Sequence, residues 1–468
     1  MNSRQALHDK FQRNVVFDLR VKLSDEADPL AGILAAIAKA GARVGEVERL
    51  GHDKGASVYD IRTFSKTDAM AQALAAAVAA LPGVEVVHML DTALESHRGG
   101  ACEIRSRSCI RSNTDLRIIY TPGVARVCKA IEANPALART YTNIANRVAI
   151  VTNGTAILGL GDIGPLAGLP VMEGKAAIFW EFAGLSADPV LVDSHDPDEV
   201  INVVEKIACG YGAIQVEDIK APECFGITRE LDRRLDIPVL HDDQHGTATV
   251  VLAGLFSALK KTGRRIEQVR CVMSGAGAAG TAVADLLLAA GAADVVLADS
   301  TGALYRGRTA GMNAEKEALA ARTNRENAKG TLADIMKGRN LFIGVSQPNI
   351  VTPGMVKSME ARPVIFALAN PVSEISRDDA LAAGAAVYAD GRMVNNALAY
   401  PGLFRGALDA GVQVFTVEML SAAAQALADR VPEGELMPEM MDPATHKAVA
   451  AAVVEAAHRP GGRPVNTL

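Results

Sequence analysis

The sequence predicts an α/β protein in which parallel sheets carry most of the chain and a small βαββαβ unit comes first. After about residue 113, short apolar runs such as RVAIVTNG and PVLHDD alternate with helical stretches such as VINVVEKIACGYG. Apolar strands of this kind usually bury both faces of a parallel sheet between helices. Between Val15 and Asp91 the order is instead strand, helix, strand, strand, helix, strand, which is the order of the split βαβ fold.

Length and composition indicate a multidomain protein that binds small molecules. The chain of 468 residues suffices for about three domains. Its net charge of −6 comes without a basic block, which argues against nucleic-acid binding. The polar N-terminus has no apolar stretch of signal-peptide length, and no later run of about 18 apolar residues offers a membrane span, so we expect no membrane association. The six cysteines show no C-x-x-C spacing, which favours free thiols in the cytoplasm.

Two glycine-rich segments match the dinucleotide pattern G-x-G-x-x-G, and their surroundings separate them. GLGDIG, at Gly159 to Gly164, is followed by Pro165 and Pro170 without helical periodicity, so we expect a tight turn beside the site. GAGAAG follows the strand QVRCVMS and opens the helix AAGTAVADLLLAAG. This second setting is typical of a Rossmann-type dinucleotide-binding domain. The predicted cofactor loop consists of Gly275, Ala276, Gly277, Ala278, Ala279 and Gly280.

The next strand, DVVLADS, supplies an acidic residue at its end, Asp299, about 20 residues after the glycine loop. A carboxylate there accepts hydrogen bonds from the adenosine ribose and repels a 2′-phosphate. The sequence therefore favours NAD over NADP. A basic residue elsewhere in the fold could still accommodate NADP, so that alternative stays open.

Acidic pairs follow two further predicted strands. Glu217 and Asp218 end GAIQVEDI, and Asp242 and Asp243 end PVLHDD. Because ligands of open α/β sheets bind outside the carboxyl ends of strands, the four carboxylates predict a site for Mg²⁺ or Mn²⁺. The alternative is that they are helix caps or solvated turn residues.

Zinc is a weaker interpretation of the same stretch. His241 and His245 have the spacing of zinc ligands on a helix, but Pro238 and Gly246 make the segment look like a strand end. We therefore expect the two histidines to form local hydrogen bonds.

From about residue 110 onward, a series of short motifs accompanies the second glycine loop: YTPGVA (120–125), LGLGDIG (158–164), MEGKAAIF (172–179), EDIKAPECF (217–225), HDDQHGTA (241–248), ANP (369–371) and VNNALAYPGLFRGALD (394–409). With these motifs in this order, the chain resembles the malic enzymes of the compact bacterial type. This resemblance implies oxidative decarboxylation of L-malate to pyruvate and CO₂ with NAD(P)⁺ and a divalent metal.

The resemblance also implies roles for individual residues. Tyr120 would be the general acid, Lys175 the general base, and Asp242 the carboxylate that orients the lysine. The implied metal ligands are Glu217, Asp218 and Asp243. The implied contacts to the nicotinamide region and the substrate carboxylate are Asn370, Asn395 and Asn396.

Each of these residues could also have a purely structural role. Lys175 could be a surface lysine, Tyr120 a core ring, and the asparagines turn residues. One departure is visible as well: the larger eukaryotic members carry an arginine where this chain has Ala156, so the groups that hold the C1 carboxylate of malate stay open.

The βαββαβ segment from Val15 to Asp91 resembles the small regulatory ACT domains. That resemblance implies an effector such as an amino acid near Gly41, with a purely structural dimerisation domain as the alternative. The predicted organisation is an N-terminal tail (1–14), an ACT-like domain (15–92), a linker (93–110), a substrate and metal domain (111–245), a Rossmann domain (246–434) and a C-terminal helical tail (435–468).

Two competing functions remain at this stage. An amino-acid dehydrogenase would keep the fold and a substrate lysine but needs no metal, and a metabolite sensor would keep the fold without the chemistry. The favoured prediction is a malic enzyme that acts as a homodimer or a larger symmetric assembly.

Overall fold

The computed structural model describes residues 15–24, 29–53, 55–157, 159–370 and 372–467. The chain divides into two compact units, Met1–Glu103 and Ile104–Leu468. The finer domain boundaries stay predictions. The predicted N-terminal tail lies outside the described residues, as do Leu158 and Pro371 within two of the quoted motifs. No described helix combines the length and the apolar character needed to cross a membrane.

The first unit confirms the βαββαβ prediction. β1 lies between β3 and β4 and pairs with both in antiparallel fashion, which gives the sheet order β2-β3-β1-β4. The elements are β1 (Val15–Ser24), α1 (Leu30–Lys39), β2 (Arg43–Asp53), β3 (Ala56–Ser65), α2 (Asp68–Ala79), β4 (Val84–Asp91) and α3 (Thr92–Ser96).

The core of this unit follows from alternation along β1. Leu19, Val21 and Leu23 point to one face because successive side chains of a strand alternate between faces. On that face they belong to the same buried cluster as Ile33 of α1 and Leu74 of α2. One apolar sheet face covered by two helices is the packing expected of the split βαβ fold.

The second unit confirms the α/β prediction for the rest of the chain. Its elements are α4 (Asn113–Ile119), α5 (Val124–Ala133), α6 (Ala138–Tyr141), β5 (Arg147–Thr152), α7 (Pro165–Ala183), β6 (Ser186–Leu191), α8 (Pro197–Ile207), β7 (Ala213–Val216), α9 (Glu223–Arg234), β8 (Val239–His241), α10 (Thr247–Thr262), β9 (Arg270–Ser274), α11 (Ala278–Ala289), β10 (Asp294–Asp299), β11 (Gly302–Ala303), α12 (Ala314–Arg322), α13 (Leu332–Met336), β12 (Leu341–Gly344), α14 (Pro353–Lys357), β13 (Val364–Ala367), α15 (Arg377–Ala382), β14 (Val387–Asp390), α16 (Tyr400–Ala410), α17 (Val417–Asp429) and α18 (Pro443–Ala457).

Two sheets organise this unit. The first is parallel with the order β6-β5-β7-β8, and the second has the order β11-β10-β9-β12-β13-β14 with an antiparallel edge strand, β11. α10 leads from the last strand of the first sheet toward the first strand of the second, and its side chains are buried along nearly its whole length. The two sheets therefore share one continuous hydrophobic core.

The prediction of a turn without a helix after GLGDIG was wrong in part. The glycines do form a turn, with positive φ at Gly159, Gly161 and Gly164, but Pro165 then begins the long helix α7. Proline is tolerated at the first helical position because its missing N–H has no partner there. Pro170 lies inside the helix and weakened the periodic signal that the sequence could show.

A layer of C-terminal helices packs unusually closely, and two glycines permit it. At Gly406 of α16 an added Cβ would lie 2.6 Å from Ala450 O and 2.6 Å from Val453 Cβ of α18. Gly402, one turn earlier, faces Val449 in the same way. These helices complete the core behind β5 and α7, so their spacing affects the elements that carry the site.

We expect Gly406→Ala to lower the free energy of unfolding by about 1 to 3 kcal/mol, because the methyl group forces the two helices apart. Gly226→Ala in α9 is the matched control, since no atom lies within 4 Å of its added Cβ. That control should leave stability unchanged or raise it by about 1 kcal/mol or less through helix propensity. Urea unfolding midpoints check both; equal midpoints would contradict the close packing.

Candidate active site

Acidic residues from two neighbouring strands meet at one edge of the first sheet. Glu217 and Asp218 directly follow β7, and Asp243 follows β8, which pairs with β7 in parallel so that Val216 lies opposite His241. One ligand oxygen from each of the three carboxylates lies within 4.8 Å of the others. The edge predicted from the sequence therefore contains a compact acidic cluster.

The chemistry of this cluster fits a hard cation. Three carboxylates supply only oxygen donors, the ligands that Mg²⁺ and Mn²⁺ prefer. Glu217 and Asp218 are almost completely buried, so water screens the repulsion between their carboxylates only weakly. A cation bound between them would offset that repulsion. The backbone N–H of Asp218 donates to Asp243 Oδ2 at 2.9 Å, and this bond ties the two strand ends together.

Lys175 reaches the same edge from α7. Its Nζ lies 2.7 Å from Asp242 Oδ2 and 3.0 Å from Glu217 Oε1. Burial works to lower the pKa of the Lys175 ammonium, but the carboxylates of Asp242 and Glu217 outweigh it and raise that pKa well above its ordinary value. Burial raises the pKa of the Glu217 carboxyl above its ordinary value, although the nearby Lys175 ammonium acts to lower that pKa. The ion pair therefore links the lysine directly to the acidic cluster.

The adjacent carboxylates Asp242 and Asp243 face different partners. Asp242 contacts Lys175, whereas Asp243 belongs to the acidic cluster. Our expectation of extended backbone at this point was wrong, because Asp242–Gly246 forms a π-helical turn that continues into α10. Adjacent side chains on a helical turn also diverge, so the two carboxylates still separate. Gly246 is required here because an added Cβ would lie 1.9 Å from Asp242 Oδ1.

The two histidines beside these aspartates are buried. Burial lowers the pKa of His245 to about 3 and also lowers the pKa of His241, so both rings are neutral at physiological pH. His241 Nδ1 lies 3.7 Å from Asp243 Oδ2. Among the described residues, the candidate metal group consists of carboxylates alone. This composition favours Mg²⁺ or Mn²⁺ over zinc.

Sequence reasoning missed Tyr400, although it lies within a motif that we quoted. The Lys175 ammonium lies 4.9 Å from the centre of the Tyr400 ring, and the Tyr400 hydroxyl donates to the backbone oxygen of Lys175 at 3.4 Å. Burial raises the pKa of that phenol, which keeps it protonated. Only the packing of α16 against α7 brings the two residues together, so no spacing in the sequence could have shown it.

The three predicted asparagines occupy different positions. Asn396 donates to Asp242 Oδ2 at 3.3 Å and to Thr247 Oγ1 at 3.1 Å, which brings it beside the lysine pair. Asn395 accepts from the backbone N–H of Ala397 and caps a short 3-10 helix. The side chain of Asn370 lies against Gly391, after strand β13.

Tyr120 is not brought to the acidic cluster within one chain. It ends α4, a helix that buries none of its side chains, and its own side chain is 66% exposed. In the described part of the chain, no hydrogen bond, ion pair or ring contact joins Tyr120 to Lys175 or to the carboxylates. No described contact of these kinds therefore joins the predicted acid to the predicted base.

The second glycine loop has the geometry that a dinucleotide requires. At Gly275, φ is +114° and an added Cβ would lie 2.7 Å from Val345 O; at Gly280 it would lie 2.1 Å from Gly275 O. Side chains are therefore excluded where strand β9 and helix α11 approach. A Cβ added at Gly277 would have no atom within 4 Å, so the loop leaves room for a pyrophosphate at the N-terminus of α11.

Asp299 ends β10 beside a cavity that also contains Thr301, Arg308, Lys329 and Ser346. Arg308 donates to both carboxylate oxygens of Asp299, at 2.7 and 2.8 Å. The Lys316 ammonium donates to Asp299 Oδ2 at 2.7 Å. Although burial opposes them, these hydrogen bonds hold the pKa of Asp299 well below its usual range. The predicted ribose acceptor is thus an anion balanced by two cations.

Comparisons with known proteins agree with this geometry. The model of the malic enzyme N-terminal domain matches residues 100–232, and that of the malic enzyme NAD-binding domain matches residues 244–458. The NAD-dependent malic enzyme of Geobacillus stearothermophilus is 42% identical over 95% of this chain and 94% of its own length. NAD-dependent malic enzyme 1 of Bacillus subtilis is 40% identical over 95% of this chain and 98% of its own length.

A solved structure gives the same result. The crystal structure of the NAD-dependent malic enzyme from Thermotoga maritima superposes with a TM-score of 0.75 at 41% identity, covering 78% of this chain and 99% of that one. The fold and the site define a two-domain α/β enzyme that combines a dinucleotide-binding domain with a candidate acidic metal centre. The chain belongs to the malic enzyme family.

We expect Asp243→Asn to weaken Mn²⁺ binding by more than about tenfold, because loss of a ligand costs at least as much as loss of a residue that orients one. Asp242→Asn should change Mn²⁺ affinity by less than about threefold, since Asp242 contacts Lys175 rather than the cluster. Calorimetric titration of chelator-treated protein measures both, with the exposed Glu267→Gln as a control. Equal weakening by the two aspartate variants would refute the division of roles.

Proposed function

We propose that this chain catalyses the NAD⁺-linked oxidative decarboxylation of L-malate to pyruvate and CO₂ with Mg²⁺ or Mn²⁺. The family membership supports the reaction, and NAD(P)⁺ is the oxidant of that reaction. The observation that carries the proposal is the half-buried Lys175, held between Asp242 and an acidic cluster at the carboxyl edge of a parallel sheet. A base beside a cation site is the arrangement that oxidation of an α-hydroxy acid needs.

Glu217, Asp218 and Asp243 would hold the metal. When bound, the metal supplies a Lewis acid that stabilises negative charge on the substrate oxygen and withdraws electrons as CO₂ leaves. Its positive charge beside Lys175 also favours the neutral amine, against the carboxylates that raise the lysine pKa.

Lys175 is the proposed general base for the C2 hydroxyl of malate. Asp242 orients the lysine through the 2.7 Å ion pair, and Tyr400 supports it from the other side through its ring and hydroxyl. Asn396 fixes Asp242 by donating to its carboxylate. The base is therefore supported by three separate elements: the π-helical turn before α10, helix α16 and the 3-10 helix Asn396–Leu398.

Tyr120 is the proposed general acid that protonates C3 after CO₂ departs. The asparagines at 370, 395 and 396 are the proposed contacts to the nicotinamide region and the substrate carboxylate, because an amide can both donate and accept. The Asn396 amide already donates to Asp242. Its main proposed role is therefore to position the carboxylate beside the base, and contact with the substrate is its second role.

For the first unit we propose a regulatory role as an ACT-like domain. The βαββαβ order supports the proposal, as does Gly41, which adopts φ +75° directly after α1 and before β2. The proposed effector is an amino acid or a similar small acid bound near that turn. Thermal denaturation of the full chain with each of the twenty amino acids tests this role; no shift with any of them would exclude an amino-acid effector.

The decisive assay for the main function follows NADH production from malate with and without Mn²⁺ after chelation. We expect turnover that depends on malate and on the metal, and a higher initial rate with NAD⁺ than with NADP⁺. Metal-independent oxidation of an amino acid would instead establish the competing dehydrogenase.

Tyr120→Phe should reduce pyruvate formation from malate by about 100-fold or more, the usual contribution of a general acid. Reduction of supplied oxaloacetate needs no proton at C3, so it should fall much less. Tyr141→Phe, which removes the hydroxyl of another exposed tyrosine, is the matched control, and Tyr400→Phe tests the rival phenol. Equal losses in the two assays would argue against Tyr120 as the acid.

Asp299→Ser should raise the ratio of kcat/KM for NADP⁺ to that for NAD⁺ by about tenfold, or about 1.4 kcal/mol. The substitution removes the anion that repels a 2′-phosphate and leaves Arg308 and Lys316 to bind it. Asp294→Ser is the control: it breaks an ion pair with Arg339 at the other end of the same strand. A ratio that moves equally in both variants would contradict a role for Asp299 in cofactor choice.

A further inference from the structure

We propose that the Glu374 carboxylate holds the chain segments after β12 and β13 in place and thereby positions the walls of the dinucleotide cavity. This arrangement is here called the Glu374 clamp. The inference deepens the proposed function, because it assigns a positioning residue to the NAD⁺ side of the site. It does not use the acidic cluster, the proposed acid or the proposed base.

The Glu374 carboxylate bridges two neighbouring strands just beyond the end of their ladder. β12 and β13 pair in parallel, and the last pair in register is Gly344 with Ala367. Two residues further along each strand, the Ser346 N–H donates to Glu374 Oε1 at 3.1 Å and the Ala369 N–H donates to Oε2 at 3.1 Å. One carboxylate therefore continues the connection between the two strands where their direct pairing stops.

Glu374 is completely buried without a cation beside it. Burial raises the pKa of its carboxyl, and the groups that act against burial are backbone N–H groups rather than a positive charge. A buried carboxylate without a counterion is energetically costly. An apolar side chain of similar size would fill this position at lower cost. The two hydrogen bonds therefore indicate a purpose other than stability.

The glycine at position 344 makes room for the carboxylate. A Cβ added to Gly344 would lie 2.2 Å from Glu374 Cδ and 2.4 Å from its Oε1. The main chain beside the carboxylate is fixed as well. The Val351 N–H donates to Glu374 O at 3.0 Å, and the Asn349 N–H donates to Ser373 O at 3.1 Å. The side chain of Glu374 therefore extends from a fixed backbone into a slot that only glycine leaves open.

The segment after β12 lies at the cofactor cavity. Ser346 lines the cavity that contains Asp299, together with Ser274 at the end of β9. The hydroxyl oxygens of Ser274 and Ser346 lie 2.7 Å apart and share a hydrogen bond. Ser274 directly precedes Gly275, the first residue of the second glycine loop. The Glu374 clamp is therefore connected to the loop that has room for a pyrophosphate.

The segment after β13 contains a proposed ligand contact. Ala369 directly precedes Asn370, which is the proposed contact to the nicotinamide region. The Asn370 side chain packs against Gly391, where an added Cβ would lie 2.6 Å from Asn370 Nδ2. The bond from the Ala369 N–H to Glu374 fixes the backbone one residue before this amide.

Glu374 acts through these segments rather than on a ligand. It is completely buried, and each of its carboxylate oxygens already accepts a backbone N–H. An acid or base in the reaction has to reach the substrate directly or through one water. A group that only positions others can still matter, because a displacement of about 1 Å at a reacting centre costs about 100-fold in rate.

Glu374→Gln tests the clamp with a neutral side chain of nearly the same shape. The amide keeps one acceptor oxygen, but its NH₂ group faces a backbone N–H, so one segment loses its hydrogen bond. We expect the dissociation constant of NADH, measured by the fluorescence of the bound nicotinamide, to rise by about tenfold or more. The dissociation constant of Mn²⁺, measured by calorimetry, should change by less than about threefold, because the acidic cluster belongs to the other sheet.

Asp294→Asn is the matched control. Asp294 is also a buried carboxylate, and it accepts the Arg325 N–H at 3.2 Å and pairs with Arg339 at 2.9 Å. It begins β10 and therefore lies at the opposite edge of the same sheet. We expect this variant to lower the urea unfolding midpoint without changing NADH affinity. The same pattern in Glu374→Gln, lower stability with unchanged NADH affinity, would show a merely structural role and overturn the inference.

Two further measurements decide the inference if Glu374→Gln does not fold. Gly344→Ala keeps the carboxylate in the chain but forces it out of its slot, so it should weaken NADH binding as well. In the ligand-free wild type, the amide hydrogens of Ser346 and Ala369 should exchange slowly with solvent, because both are bound to a buried carboxylate. Rapid exchange of either amide, or unchanged NADH affinity in folded Gly344→Ala, would overturn the clamp.

NADH affinity tests the clamp without malate, which separates it from the proposed reaction. A wild type that binds NADH but does not oxidise malate would overturn the proposed function, and the affinities of the variants would still decide the clamp. Variants that bind NADH as tightly as an active wild type would overturn the clamp alone. A wild type without affinity for NADH would overturn both.

Discussion

The ion pair between Lys175 and Asp242 is the interaction around which the rest of the site is arranged. Burying an ammonium group costs several kcal/mol unless anions satisfy it, and here Asp242 and Glu217 do so at 2.7 and 3.0 Å. The same carboxylates connect the lysine to the edge where Glu217, Asp218 and Asp243 meet. Because the carboxylates outnumber the one lysine, this edge of the sheet is a candidate site for a further cation.

Backbone geometry makes that concentration of charge achievable. Two parallel strands end side by side, and their ends turn into helical segments, so consecutive residues separate to different partners. Gly246 admits the Asp242 carboxylate next to the chain, and Gly402 and Gly406 let α16 approach α18 closely. The position of α16 in turn sets Tyr400 against Lys175. Glycines that are far apart in the sequence thus determine which groups can pack around the Lys175 amine.

The cofactor side follows a similar logic with a different balance of charge. Asp299 is held by Arg308 and Lys316, so the carboxylate proposed to bind the ribose is already paired with two cations. In the proposed role, the Asp299 carboxylate favours a ribose diol over a 2′-phosphate in this pocket. In the acidic cluster around Lys175 the carboxylates outnumber the cations, whereas beside Asp299 two cations face one carboxylate.

Local patterns in the sequence determined the fold class, the βαββαβ order of the first unit, the cofactor loop and the acidic strand ends. These features depend on short-range periodicity, on glycine geometry and on the parallel alignment of neighbouring strands. Tertiary structure alone decided that α7 forms despite Pro170, that Asp242 and Asp243 lie on a helical turn, and that Tyr400 rather than Tyr120 contacts Lys175 within the chain. The physical reason is distance along the chain: Lys175 and Tyr400 meet only after two helices pack together, and no local pattern encodes that contact.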